Sequence, residues 1–193
     1  MKTQKKSGVL NLMITILMFL IVAPLPVLSQ QNRGETRKEK KEREKKEQLH
    51  RYRQARQLVF DTAFAVPAET IHFRDGLMLP AQSSINFLKM KGDEAVIQIG
   101  SDFARGPGLN NLGGVTLKGK ISNLSITEKE KKNRLYMTFV LTGLIGTAQI
   151  TLTLTGSEYA IVDVNGMFSG RAFTLRGPVQ PLSDTFIFEG TEF

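Results

Sequence analysis

The chain of 193 residues contains no cysteine, no tryptophan and two histidines. Without cysteine there are no disulfides, no thiolate metal sites, no nucleophilic thiol and no lipid-modified cysteine near the start. A domain without such staples must be held by its own apolar core, which takes on the order of 100 residues. The two histidines, His50 and His72, lie on separate elements with no carboxylate at ligand spacing, which argues against a zinc site. Tryptophan is absent and only three tyrosines are present, so platforms on which bases could stack are scarce. No Gly-x-Ser-x-Gly nucleophile elbow occurs. The acids Asp75, Asp93, Glu94, Glu128 and Glu130 read as turn residues rather than as a buried catalytic pair. No catalytic constellation, metal site or cofactor is expected.

Charge is present but unevenly spread. The net charge is +8. Three of those positive charges, Lys2, Lys5 and Lys6, precede the apolar run "VLNLMITILMFLIVA" (9–23). Residues 33–47 carry eight Lys/Arg against five Glu, while residues 48–193 carry 15 basic against 13 acidic side chains. The part able to fold is nearly balanced and offers no basic face for nucleic acid.

The beginning of the chain has the three-part pattern of a secretory signal peptide. The basic residues precede the apolar run, and Val27 and Ser29 stand as small residues before Gln30. The run is shorter than the ~20 residues of a spanning helix, contains Asn11, and is followed by two prolines. Residues 1–29 are therefore expected to be removed on export, leaving no integral membrane domain. The expected location is the periplasm or the outer membrane's surface in a Gram-negative bacterium.

Next comes "RGETRKEKKEREKKEQLHRYRQARQL" (33–58). Thr36 and Glu39 have the spacing of a capping box. Glu39–Arg43, Glu42–Lys46 and Glu47–Arg51 stand four residues apart with the acid first, the better orientation on a helix. No apolar residue occurs from 33 to 48, whereas Leu49, Tyr52, Ala55 and Val59 recur at helical spacing. A helix of about 20 residues is predicted, its front half in water and its back half docked. Residues 30–56 are assigned to this charged segment, a spacer, tether or binding arm, and residues 57–193 to a single β domain.

From residue 57 the period falls to two. "RLYMTFVLTG" (134–143) aligns Leu135, Met137, Phe139 and Leu141; "GTAQITLTLTG" (146–156) aligns Ala148, Ile150, Leu152 and Leu154. Each pattern is that of a strand with one buried side, and "TGLIG" between them reads as a tight hairpin. Similar segments surround Gly92-Asp93, Val115–Ile121, "SEYAIVDVNG" and "GRAFTLRGPV". Eight to ten short strands at near-regular spacing give an all-β fold, an antiparallel meander closed into a small lipocalin-like barrel or a sandwich, preceded by the charged helix. An outer-membrane barrel is disfavoured because Lys89, Lys118, Lys120 and Arg176 interrupt the strands and an aromatic girdle is missing.

The stretch "SDFARGPGLNNLGGVTLKG" (101–119) holds five glycines. It leads into a strand rather than a helix, so a phosphate-binding fingerprint fails on context. Glycines that permit an irregular connection between strands are the simpler account. Arg105, Asn110 and Asn111 in this loop, with Arg171, are the polar residues nominated for a ligand or partner at a barrel rim. The expected ligand is an apolar small molecule inside the barrel or an envelope protein. Phe60, Phe64, Phe73, Phe87, Phe103, Phe139, Phe168 and Phe173 are numerous enough to fill the barrel instead.

Taken together, "FRDGLMLPAQSSINFLKMKGDEAVIQIGSDFARGPG", "NNLGGVTLKGKISN", "GTAQITLTLTGSEYAIVDVNG" and "GRAFTLRGPV" resemble domain of unknown function 4251, a family of exported Bacteroidetes proteins. Gly92-Asp93, Arg105, Gly113-Gly114, Arg171 and Gly177 carry the resemblance, which covers about residues 50–182. The loop "RGPGLNNL" departs from it. The resemblance implies an all-β exported domain and brings no catalytic residues with it.

Overall fold

A computed structural model describes residues 36–100, 114–166 and 172–191. One helix, α1 (Arg37–Phe60), is followed by eleven strands. These are β1 (Ala63–Pro67), β2 (Thr70–Phe73), β3 (Met78–Pro80), β4 (Phe87–Lys91), β5 (Glu94–Ile99) and β6 (Val115–Lys129). They continue as β7 (Arg134–Gly143), β8 (Gly146–Thr155), β9 (Tyr159–Asn165), β10 (Phe173–Pro178) and β11 (Gln180–Pro181). All pairings are antiparallel, in the order β11-β1-β4-β5-β6-β7-β8-β9-β10-β2-β3. The sheet is a curled half-barrel, and a second sheet is absent among the described residues.

The ends of that order meet because two chain segments are each bent into a pair of strands. β1 and β2 are separated by Ala68-Glu69, and β10 and β11 by Val179 alone. Phe64 pairs with Pro181 in β1–β11, while Ile71 pairs with Leu175 in β2–β10. Between these ladders, the Glu69 N–H donates to the Arg176 carbonyl at 2.8 Å. Gly177 sits at the same crossing. A Cβ built there would lie 2.0 Å from the Pro67 carbonyl oxygen, so only glycine lets the two backbones come this close.

Period-two burial follows the sequence pattern. Leu135, Met137, Phe139 and Leu141 on β7 and Ala148, Ile150, Leu152 and Leu154 on β8 are buried, with partners between them exposed or half-buried. They are joined by Phe64, Ile71, Leu88, Met90, Ile97, Leu117, Val162 and Leu175 in one contiguous core. The phenylalanines divide. Phe64, Phe139 and Phe173 belong to this core, but Phe60 is 40 % exposed, and Phe87 is fully buried yet outside the core. On β4 it is Leu88 and Met90 that join the core, so Phe87 has the opposite phase. Phe103 and Phe168 lie outside the described residues.

The turns obey local chemistry. Gly92 has φ +64°, the left-handed conformation a tight β4–β5 hairpin demands. Asn133, with φ +47°, closes the short 3-10 turn Glu130–Lys132 before β7. β6 changes register between Ser122 and Ser125, where Asn123 is left-handed at φ +55°. Such a bulge bends and twists the long strand.

Helix α1 runs to Phe60, four residues beyond the boundary expected at 56. Its residues 37–48 are exposed throughout. Tyr52, Ala55 and Val59 are buried and enter the sheet's core, with Leu49 and Leu58 packed against it. Docking, rather than propensity alone, therefore secures the back half. Arg43 pairs with Glu47 at 3.4 Å within the helix, but Arg51 turns to Glu158 on the β8–β9 turn at 3.0 Å. The helix thus meets the sheet at the end where β6–β7 and β8–β9 reverse direction.

Candidate functional site

The residues nominated from the sequence, Arg105, Asn110, Asn111 and Arg171, lie outside the described residues. β5 and β9 end, and β6 and β10 begin, on the side opposite the α1 contacts with Glu128 and Glu158. His72 is half-buried on β2, with Thr70 Oγ1 at 3.5 Å from its Nε2. No cluster of three metal-ligating side chains occurs among the described residues.

Three features are described in full. The first fastens α1. The Arg56 guanidinium donates two 2.6 Å hydrogen bonds, from Nε and one Nη, to the two carboxylate oxygens of Glu128 near the end of β6. This fork is the strong form of a charged hydrogen bond. The Arg56 hydrogen bond holds the Glu128 carboxyl below the usual carboxylate range against the opposing effect of burial. Arg56 also lies 4.6 Å from the centre of the Phe60 ring. Glu128 therefore serves as a strand residue rather than a turn acid. Beside it, the Tyr52 hydroxyl is buried without a hydrogen-bond partner among the described residues. Burial, then the nearby Glu128 charge, raise the Tyr52 phenol above its ordinary range.

The second is an open groove of about 280 Å³ beside the strand crossing, lined by Pro67, Glu69, Ser83, Pro178, Gln180, Asp184 and Phe186. The Tyr159 hydroxyl donates to Glu69 across 3.2 Å nearby. Burial is the first cause of a raised Tyr159 phenol, and the Glu69 charge adds to it.

The third lies on the outer face of β4, β5 and β6. Gln98 is completely buried although it points away from the core, and Thr116 and Asn86 are buried with it. Residues 185–190 pass over this face. Gln98 Nε2 donates to the Phe188 carbonyl at 2.8 Å and the Ile85 carbonyl at 3.0 Å. Its Oε1 accepts from Gly190 N–H at 2.7 Å and Thr116 Oγ1 at 2.9 Å. All four hydrogen-bonding positions of this amide are used. The Phe188 N–H donates to the Ser84 carbonyl at 2.7 Å. The Glu189 carboxylate pairs with Lys89 and sits 3.8 Å from Lys118. Phe186 and Phe188 alternate outward, 87 % and 59 % exposed.

Sequence reasoning missed this site. Gln98 alternates with Ile97 and Ile99 in a way that marks it as an ordinary solvent-facing strand position. The single hint was an outward phase containing Phe87 and Val96, too apolar for a bare surface.

The family model for "Domain of unknown function (DUF4251)" matches residues 44–179. The chain belongs to the DUF4251 family. The match begins inside α1 and ends at Val179, so it takes in the docked half of the helix with the sheet and leaves out residues 180–193. The crystal structure of a DUF4251 family protein from Bacteroides eggerthii DSM 20697 is similar at a TM-score of 0.62 and 28 % identity. That similarity covers 73 % of this chain and 94 % of the other. No curated protein matches. DUF4251 membership agrees with the expectation drawn from Gly92-Asp93, Gly177 and the strand segments around them.

Proposed function

We propose that this DUF4251 domain is a non-enzymatic, exported envelope module that binds a protein partner through its outer surface. The observation that carries the reading is the continuous core. Inward side chains from β1, β2 and β4 to β10 join Tyr52, Ala55 and Val59 of the helix in one cluster. Among the described residues these side chains pack on one another, which favours a filled interior over the hollow that a lipocalin-like barrel would offer an apolar small molecule. The outer surface, by contrast, displays aromatic residues, a groove and a charged helical arm. Export is supported by the signal-peptide pattern of residues 1–29, and no helix among the described residues is long and apolar enough to cross a membrane.

Native mass spectrometry of the protein isolated from its own cell envelope tests this. The expected result is the mass of the bare polypeptide; a small molecule retained in one-to-one amount would refute the reading. A structural role in envelope assembly is the second reading. It is favoured by residues 37–48, which bury nothing, and by the sheet edge at β3, where Met78 is 59 % exposed. Removal of residues 33–48 separates the two: partner binding survives if the arm is a spacer and fails if the arm is the contact.

A further inference from the structure

We propose that the outer face of β4, β5 and β6 is a binding strip for an extended acidic peptide of a partner protein, and that residues 185–190 occupy it as a built-in competitor. The inference rests on the reading of the domain as a protein-binding module and names the site and partner chemistry.

The contacts are those of peptide recognition rather than of core packing. The strip takes hold of the main chain at three points: the Phe188 carbonyl and the Gly190 N–H through Gln98, and the Phe188 N–H through the Ser84 carbonyl. Main-chain bonds of this kind hold any extended segment, and selectivity must come from side chains. Here the one side chain fixed by charge is Glu189, set between Lys89 and Lys118. The neighbouring Phe186 and Phe188 side chains point away from the strip into solvent. What the strip selects is therefore an extended backbone with a carboxylate at one position, an apolar side chain two residues before it where Ile187 is half-buried, and freedom at the outward positions.

Receptor and occupant are also separable parts of the chain. Ser84, Asn86, Lys89, Gln98, Thr116 and Lys118 fall within residues 44–179, which match the family, whereas residues 185–190 fall beyond them. The Gln98 amide presents two hydrogen-bonding positions to whatever covers this face. With the tail lifted away, its bonds to Phe188 and Gly190 would pass to water on the uncovered face. An incoming acidic strand from another protein supplies the same groups, so exchange of one occupant for the other leaves every polar group paired.

The test uses the full chain and a labelled synthetic peptide, TFIFEGT, with blocked ends. In the wild-type chain the tethered tail competes at an effective concentration in the millimolar range, and peptide binding is expected to be weak. Glu189→Lys sets the tail's charge against Lys89 and Lys118, and the peptide should bind this chain at least about tenfold more tightly by fluorescence anisotropy. Adding Lys89→Glu to Glu189→Lys restores an opposite-charge pair in the chain and should return binding to the wild-type level. A peptide with lysine in place of its glutamate should not bind the Glu189→Lys chain. Equal binding by wild type and Glu189→Lys, or by the two peptides, would overturn the proposal. Should Glu189→Lys fail to fold by circular dichroism, Glu189→Gln serves instead, with about a threefold gain expected. A chain with a bare mass that ignores the peptide keeps the protein-binding reading and loses this site. A retained small molecule removes that reading whatever the peptide does.

Discussion

Breaking the fork between Arg56 and Glu128 should loosen the helix from the sheet by a measurable, mutually dependent amount. The residues are 72 positions apart, and their side chains are 31 % and 14 % exposed. A single charge-assisted hydrogen bond contributes about 1.5–3 kcal/mol in a sheltered site, and fully exposed pairs contribute about 0–1 kcal/mol. Partial exposure places the coupling at about 1–2 kcal/mol. A double-mutant cycle of Arg56→Ala and Glu128→Ala, followed by urea denaturation, isolates that quantity from the packing each side chain also loses. Arg56→Lys keeps the charge but cannot form the planar fork, so it should lose most of the coupling. The acid limb gives an independent reading. Because Arg56 depresses the folded-state pKa of Glu128, this stabilisation is complete above the unfolded carboxylate range of about 4.3. It disappears as pH falls through the lower folded value. Glu128→Gln should therefore flatten the loss of stability on acidification. A coupling below about 0.3 kcal/mol, or an unchanged acid limb, would refute the claim that this pair fastens the helix.

Two substitutions probe single atoms. Tyr52→Phe removes a hydroxyl that is buried without a partner among the described residues, while keeping the ring in the core. It should leave stability unchanged or raise it by about 1 kcal/mol, a gain of roughly 2–4 °C in Tm for a chain of this size; a loss of Tm would show that the hydroxyl has a partner. Gly177→Ala places a methyl group 2.0 Å from the Pro67 carbonyl oxygen where the bent strands cross. It should cost more than about 3 kcal/mol or prevent folding, whereas Gly76→Ala, which meets no atom within 4 Å, should cost only the strain of its positive φ, about 1 kcal/mol. Equal thermal shifts for the two would refute the close approach.

What could be known from the sequence was set by period and composition. Alternation of Leu135, Met137, Phe139 and Leu141 with polar residues fixes strand and buried face together, because neighbouring side chains of a strand point to opposite sides. The 49-52-55-59 spacing foretells the docked half of α1 for the corresponding reason in a helix. Gly92-Asp93 and "EKEKKN" mark turns by local backbone preference alone. These signals reach only a few residues along the chain. How the strand order joins its own ends depends on the bends at Ala68-Glu69 and Val179, which bring together residues over 100 positions apart. The burial of Gln98 by a tail 90 residues away, and the meeting of Arg56 with Glu128, have no local trace either. An outward strand position has the same sequence signature whether water or another segment covers it. Tertiary structure alone decides which, since the covering contact is made between distant segments and is settled only when the whole sheet has curled.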